Sequence, residues 1–525
     1  MKSVCFSPLE KGYYNTLVKD YINQAPNTRS LYNNYFDKEG FEKTISNRKF
    51  SAANREILVQ QLSNSYIQRA SELQLQNIQL LKQENTFTVT TGHQLCLGTG
   101  PLYSIYKILT CIVYARKLKT WFPAYNFVSV FWMASEDHDI DEIKTLNFFG
   151  KEFTWASEQT GPTGRMDTTG ISELLNEIKT LFANDEKTAD IIEKVKHDYD
   201  SPNLNEATFT LINKLFKQLG LLVINPDNAV FKGLFTNYII DDIIHHKNYK
   251  PLKEQTSIIE QNYKPQLFIR DINFFYLNPG KRERIKKEAD IYYTNDKCKT
   301  WTEVELIREI QDSPENFSPN AAIRPLYQET ILPNIAYAGG PGELAYWLQL
   351  YKMFEVNNID FPVLLPRYSA VLLSKSLNER IEKLKLNTSD FLNDEKSIIT
   401  KFMDMQDGSG EVTFSDELEL LRELKSKIEL RVSEIDATLM SQVDNLFKKN
   451  LEQLNMIETR LKNTSQKKYE TDINKIKKLH EDLWPQRKPQ ERIQNYIQFA
   501  TRFSLADIYD AFLNSDTNGC ILIEE

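Results

Sequence analysis

The chain has 525 residues, enough for two or three domains, and its 41% hydrophobic and 26% charged content is that of a soluble globular protein. No apolar run approaches the roughly 20 residues needed to span a bilayer, and a net charge of −8 argues against a broad nucleic-acid-binding surface while leaving room for a local basic pocket. The start, 1-MKSVCFSPLEKGYYN-15, lacks an apolar leader, and Cys5, Cys96, Cys111, Cys298 and Cys520 are scattered without a CxxC pair, so we expect a cytoplasmic protein with neither disulfides nor a structural zinc.

In chain order, residues 50–85 mix apolar and polar positions at helical spacing, and 86-TFTVTT-91 then switches to β-branched and aromatic residues. This predicted strand runs into 92-GHQLCLGTGP-101. Pro101 suits a helix start, and Leu102, Ile105, Leu109 and Ile112 recur at helical spacing. The apolar run 127-FVSVFWM-133 reads as a strand buried on both faces, which completes a β-α-β unit and predicts a parallel sheet covered by helices. Two insertions are expected, at about 150–220 and 229–315, separated by the strand 221-LLVINPD-227. The second holds two β-rich pieces, 266-QLFIR-270 and 273-NFFYLN-278, and the charged run 281-KRERIKKEAD-290. The α/β pattern resumes in 334-NIAYAGGPGELAYWLQLYKMF-354 and 361-FPVLLPR-367, so the α/β core is assigned to 1–373.

Residues 374–525 are dominated by Leu, Glu and Lys and predict a helical domain. Its apolar stripe runs through Leu421, Leu424, Ile428, Val432, Ile435, Leu439, Val443, Leu446, Asn450, Leu454, Ile457 and Leu461. The steps of three, four and four repeat every eleven residues, about 3.67 per turn, which predicts one long straight or slightly right-handed coil. Asn450 would either fix register with a partner helix or sit where solvent reaches the seam. The partner would be the helices of 376–404 or a second subunit.

Three constellations carry chemistry. A glycine loop entering a helix N-terminus binds phosphate or carboxylate through its backbone N–H groups, and residues 92–101 suit that role, although they match neither a P-loop nor GxGxxG. Gly92, His93, Gln94, Gly98, Thr99 and Gly100 are its members, with Tyr103 and Lys107 following in the helix; the alternative is a tight turn with His93 packed. Cys96 has no assignable base and reads as a packing residue. The second constellation, 136-EDHDIDE-142, follows a buried strand, where ligands bind in open α/β sheets. His138 would act as acid or base beside Asp137 or Asp139, or Asp137 and Asp139 would hold Mg²⁺; plain helix-dipole pairing is the bland alternative. The third is 339-GGPGE-343, where Glu343 is placed to reach back toward the cap. Upstream, Asn320, Arg324 and Gln328 form a polar line for an anionic substrate if that segment is helical. The pairs Asp241/His245 and Asp242/His246 have i, i+4 spacing but make too few ligands for a metal site.

Taken together, TGHQLCLGTGPLYSIYK, VFWMASEDHDIDEI, SPNAAIRPLYQETILPNIAYAGGPGELAYWLQL, PVLLPRYSAVLL and RKPQERIQN resemble, in order and spacing, the motifs of the bacillithiol biosynthesis cysteine-adding enzyme family (BshC). The resemblance implies a Rossmann-like core with inserted helical connecting segments, akin to class I aminoacyl-tRNA synthetases, and a coiled-coil domain that forms a homodimer. It implies addition of L-cysteine to glucosaminyl malate by amide formation, with ATP and Mg²⁺ as expected activators by fold analogy. On that reading Gly92, His93 and Gln94 stabilise charge on a phosphoryl group, Glu136, Asp137 and His138 hold Mg²⁺ or the amine, and Arg324 or Arg367 meets the malate carboxylates. Gly339, Gly340, Gly342 and Glu343 line the same place. The synthetase lysine loop has only an echo in 372-LLSKS-376. Competing functions are another ATP-dependent acyl or nucleotidyl transferase, or a coiled-coil assembly protein.

Overall fold

A computed structural model describes residues 2–6, 13–148, 150–182, 184–407, 413–515 and 519–525. Five strands form the central sheet: β1 (Thr86–His93), β2 (Asn126–Met133), β3 (Leu222–Ile224), β4 (Asn334–Gly339) and β5 (Val363–Pro366). They lie in the order β3-β2-β1-β4-β5 with every pair parallel, the order of a Rossmann-type half. The strands are buried along nearly their whole length, so β-branched and aromatic side chains fill both faces. Each such residue contributes about 1.5–3 kcal/mol of burial. A polar seam crosses the sheet too: the Thr88 and Thr90 hydroxyls donate to Asn334 Oδ1, and Asn334 Nδ2 donates to Glu329 Oε1.

Helix α1 (Leu102–Trp121) makes the crossover from β1 to β2 and is buried over most of its length. Between β2 and β3 lie a one-turn helix, Ile140–Ile143, and the first insertion, with a small hairpin and the helices Ile171–Thr180, Glu186–Asp198 and Leu204–Phe216. The second insertion begins with α2 (Ala229–Ile243) and carries a five-stranded sheet, with strands Thr300–Thr302, Ile291–Thr294, Lys281–Glu288, Phe274–Asn278 and Phe317–Pro319 adjacent in that order. It closes with α3 (Arg324–Ile331), and α4 (Pro341–Trp347) leaves β4. Helix α2 stops at Ile243, before His245, so Asp241/His245 and Asp242/His246 do not share a helix face; Asp242 instead accepts from Asn273 N and Asn248 Nδ2.

Two units emerge: Met1–Leu372 with Lys488–Glu525, and Leu373–Arg487. Residues 488–525, expected in the helical domain, therefore belong to the first unit, where Cys520–Glu524 pairs antiparallel with Lys2–Phe6.

The second unit is helical. Its long stripe is not one coil, as the eleven-residue period predicted. It breaks at Asp436, whose side chain accepts from Thr438 N and starts a single tight turn, Ala437–Leu439. The local side-chain bond competes with helix continuation. Helix α5 (Ser415–Ile435) and helix α6 (Met440–Lys468) fold back on each other, and Lys425 Nζ reaches Asp444 Oδ1 at 2.7 Å. Half of the stripe thus pairs with the other half. No residue of α5 is buried, and Leu420, Leu430, Ile435, Leu446 and Met456 stay exposed. Asn450 is half-buried. Ser374 caps the helix Lys375–Lys383, which accounts for the serine of LLSKS as a helix start.

Candidate active site

Strand order reverses between β1 and β4, so the crossover helices leave to opposite sides and a cleft opens at the carboxyl ends of these strands. A cleft of about 720 Å³ lies there. It is lined by residues 92–94 from the end of β1, Tyr103 and Lys107 from α1, Asp137 and Glu142 from beyond β2, and Arg324 and Gln328 from α3. Residues 340–343 and Tyr346 from α4, Arg367 after β5, and Lys488 and Arg492 from the returning C-terminal segment complete it.

His93 packs edge-on against Tyr103, with ring centroids 5.3 Å apart, and its Nε2 lies 3.7 Å from Cys96 Sγ. Burial, reinforced by the Lys107 cation, holds its pKa down to about 3, so the imidazole is neutral at physiological pH. The Cys96 thiol is pushed up to about 12 by burial, which leaves it protonated and unsuited to be a nucleophile. Lys107, 1% exposed, donates to Gly92 O and pairs with Glu343 at 2.8 Å. Glu343 in turn accepts from Gly340 N and Tyr337 Oη, both at 2.9 Å. One buried ion pair therefore ties α1 to α4 across the switch point.

Gln94 Nε2 bridges two carboxylates, donating to Asp137 Oδ2 at 3.2 Å and to Glu142 Oε2. Burial would raise the Asp137 pKa, but His138, Arg324 and Arg282, the last with Nη1 3.9 Å away, hold it well below the usual carboxylate range. Arg324 faces the cleft beside Tyr346, and no carboxylate among the described residues comes within ion-pair distance of it. Arg367 is already committed: it makes a buried, two-pronged pair with Glu491 at 2.6 and 3.0 Å.

Other predicted residues fall elsewhere. Glu136 lies behind the cleft, bonded to buried Lys232. Asn320 spends its carboxamide on Ala322 N, Ile323 N and Asn273. His138 is half-exposed, with Arg282 Nη1 3.0 Å from its Nδ1, and Asp139 is exposed; neither lines the cleft. The expectation of an anion-binding loop over the whole of 92–101 is corrected. Gly98, Thr99 and Gly100 adopt φ values of 55°, 74° and 71° and form a buried turn. Gly98 N donates to Tyr199 Oη, Asn495 Nδ2 donates to the carbonyls of Gly98 and Gly100, and Leu102 N at the head of α1 donates to Gln494 O. Those backbone groups are spent on the protein itself, and only residues 92–94 of the loop reach the cleft. Among the described residues, no three of His, Cys, Asp and Glu converge as a metal-sized group. Sequence reasoning missed Glu142, Tyr346, Lys488 and Arg492, although each sits in or beside a quoted motif.

The family model for "Bacillithiol biosynthesis BshC, N-terminal Rossmann-like domain" matches residues 1–368, and that for "Bacillithiol biosynthesis BshC, C-terminal coiled-coil domain" matches 370–518. The chain belongs to the BshC family. Relatives named "Putative cysteine ligase BshC" are 35% identical over 508 residues in Flavobacterium johnsoniae, covering 95% of both chains, and 37% identical over 492 residues in Cytophaga hutchinsonii, covering 93% and 92%. One from Bacillus cytotoxicus is 28% identical over 509 residues, covering 93% and 94%. A solved chain from Campylobacter jejuni aligns over 90% of this chain and 100% of its own at 10% identity, but its TM-score of 0.24 carries no argument. In BshC terms, the Rossmann-like match supplies most of the cleft, and the coiled-coil match holds the helical hairpin and contributes Lys488 and Arg492 to the cleft wall.

Proposed function

We propose that this chain is a cysteine ligase of bacillithiol biosynthesis, joining the carboxyl of L-cysteine to the amine of glucosaminyl malate as an amide. One observation carries the reading: a carboxylate held ionised, Asp137, and a guanidinium with no carboxylate within ion-pair distance among the described residues, Arg324, share a cleft in a member of the BshC family. Those opposite charges suit the ammonium and carboxylate of an amino acid. Gln94 fixes Asp137 and Glu142 relative to each other. Neutral His93 offers a hydrogen bond to oxygen charge that develops during acyl transfer, without adding a cation. Arg367, being neutralised by Glu491, acts through shape and leaves carboxylate binding to Arg324, Lys488 and Arg492.

Amide formation from a free carboxylate is uphill, and ATP with Mg²⁺ would supply the activation. The side chains fit such a group: Arg324, Lys488 and Arg492 are cations for phosphates, and Asp137 is an ionised oxygen donor. We further propose a cytoplasmic homodimer through the coiled-coil domain; no helix among the described residues is long and apolar enough to cross a membrane. The test is incubation of purified protein with L-cysteine, glucosaminyl malate, ATP and Mg²⁺, followed by mass spectrometry for the thiol product. Absence of product with every nucleotide, together with normal thiol levels in a deletion strain, would overturn the proposal.

A further inference from the structure

Strand Lys281–Glu288 of the second insertion carries Arg282 and Arg284 two residues apart, hence on one face of its sheet. Phe275 pairs in register with Arg284, and both guanidinia lie over its ring, at 4.0 and 5.6 Å from the centroid. Arg270 lies over Phe268 at 4.9 Å, and that ring is 74% exposed. At the inner end of this row Arg282 reaches toward Asp137, at 3.9 Å, and His138. At the outer end the row is uncompensated. Among the described residues no carboxylate comes within ion-pair distance of Arg270 or Arg284, and neither guanidinium has a hydrogen-bond partner. Both are half-buried, and burial followed by the Arg270 charge depresses the Arg284 pKa. In a chain whose 72 acids outnumber its 64 basic residues, two neighbouring cations left without an acid repel each other, and a bound anion would relieve that repulsion.

We propose that Arg284 and Arg270, with Arg282 at the inner end, form an anion subsite just outside the Asp137 edge of the cleft, shaped for a doubly charged oxyanion group, either dicarboxylate or phosphate. It takes the charged end of a ligand whose reacting end lies near His93; only that orientation rests on the ligase reading. Aromatic faces beneath the guanidinia keep them extended and aligned for paired N–H···O bonds.

The experiment is calorimetric titration of the full chain with L-malate and, separately, with inorganic tripolyphosphate at one fixed ionic strength, for the wild type, Arg284→Gln, Arg270→Gln, the double variant and a distant control, Lys43→Gln. Binding of one probe or the other should weaken roughly tenfold or more in the double variant and not in the control. In probe-free buffer the double variant should melt no lower than the wild type, because a repulsion has been removed. A malate effect assigns the subsite to carboxylates and a tripolyphosphate effect to phosphates. A wild type that binds neither probe, or a double variant that binds both as tightly as the wild type, overturns the proposal. Since binding is read directly, failure to form the thiol product would sink the ligase reading and leave this result standing.

Discussion

At His93, burial and Lys107 act in the same direction, and the ring is neutral across the working pH range of most enzymes. Replacing it with alanine should cost about 10²–10³ in turnover with the melting temperature nearly unchanged, while His93→Gln, which keeps a donor, should recover part of the loss. The pH profile of the wild type should show no inflection from this ring between pH 5 and 9; one that His93→Gln abolished would refute the assignment. A second buried group makes a pH claim about stability. Burial raises the Glu329 carboxyl to about 7 from 4.5. Because the folded state holds its proton more tightly than the unfolded chain, the protonated-state advantage is complete below pH 4.5 and is lost as pH rises toward 7. Chemical denaturation across that window should show stability falling with pH, and Glu329→Gln should flatten the trend. Candidate residues were legible where motif and strand end coincided, as for His93, Gln94, Asp137 and Arg324. They were not where the deciding partner lies far along the chain. Nothing near Gly98 and Gly100 signals that Asn495 will cap them.

At the scale of elements, the core strands were readable for different reasons: β2 and β5 as continuous apolar runs, β1 from its β-branched and aromatic residues, β4 from the glycine turn that ends it, and the three-residue β3 from its flanking turn. Their order was not, since it depends on which crossovers pack. Of the five strands in the second insertion, charged Lys281–Glu288 hides its pattern by alternating basic side chains with a single buried Ile285. The coiled-coil domain was legible, but the break in its stripe was not: a helix can stop without glycine or proline when an Asp-x-Thr pair offers a competing turn, as at Asp436 and Thr438. Both α5 and α6 keep apolar side chains in water after pairing with each other. Deleting residues 414–465 should therefore convert a dimer to monomers in sedimentation; a truncated chain that still sediments as a dimer would place the subunit contact elsewhere.

For the whole molecule, Arg367 and Glu491 join residues 124 positions apart, with side chains 4% and 1% exposed. Truncating one partner leaves a buried, unpaired charge, so Glu491→Ala should lower unfolding free energy by about 3–5 kcal/mol in denaturant titration, and Arg367→Met added to it should restore a part. Equal stability of Glu491→Ala and wild type would show that the pair is solvated. The division into an α/β core and a helical domain was visible from the change in composition near residue 374. The return of the chain was not, because residues 488–525 are too short and mixed to announce which unit they join.

That return has a consequence for synthesis. A ribosome makes the cleft's first strands early, then the entire helical unit, and only at the end Glu491, Asn495 and the strand that pairs with Lys2–Phe6. Until then Arg367 lacks the Glu491 carboxylate that neutralises it in the finished fold, and the carbonyls of Gly98 and Gly100 lack the Asn495 donor. The first unit begun is the last to be finished, and a chain released early would carry a nearly whole but unclosed core.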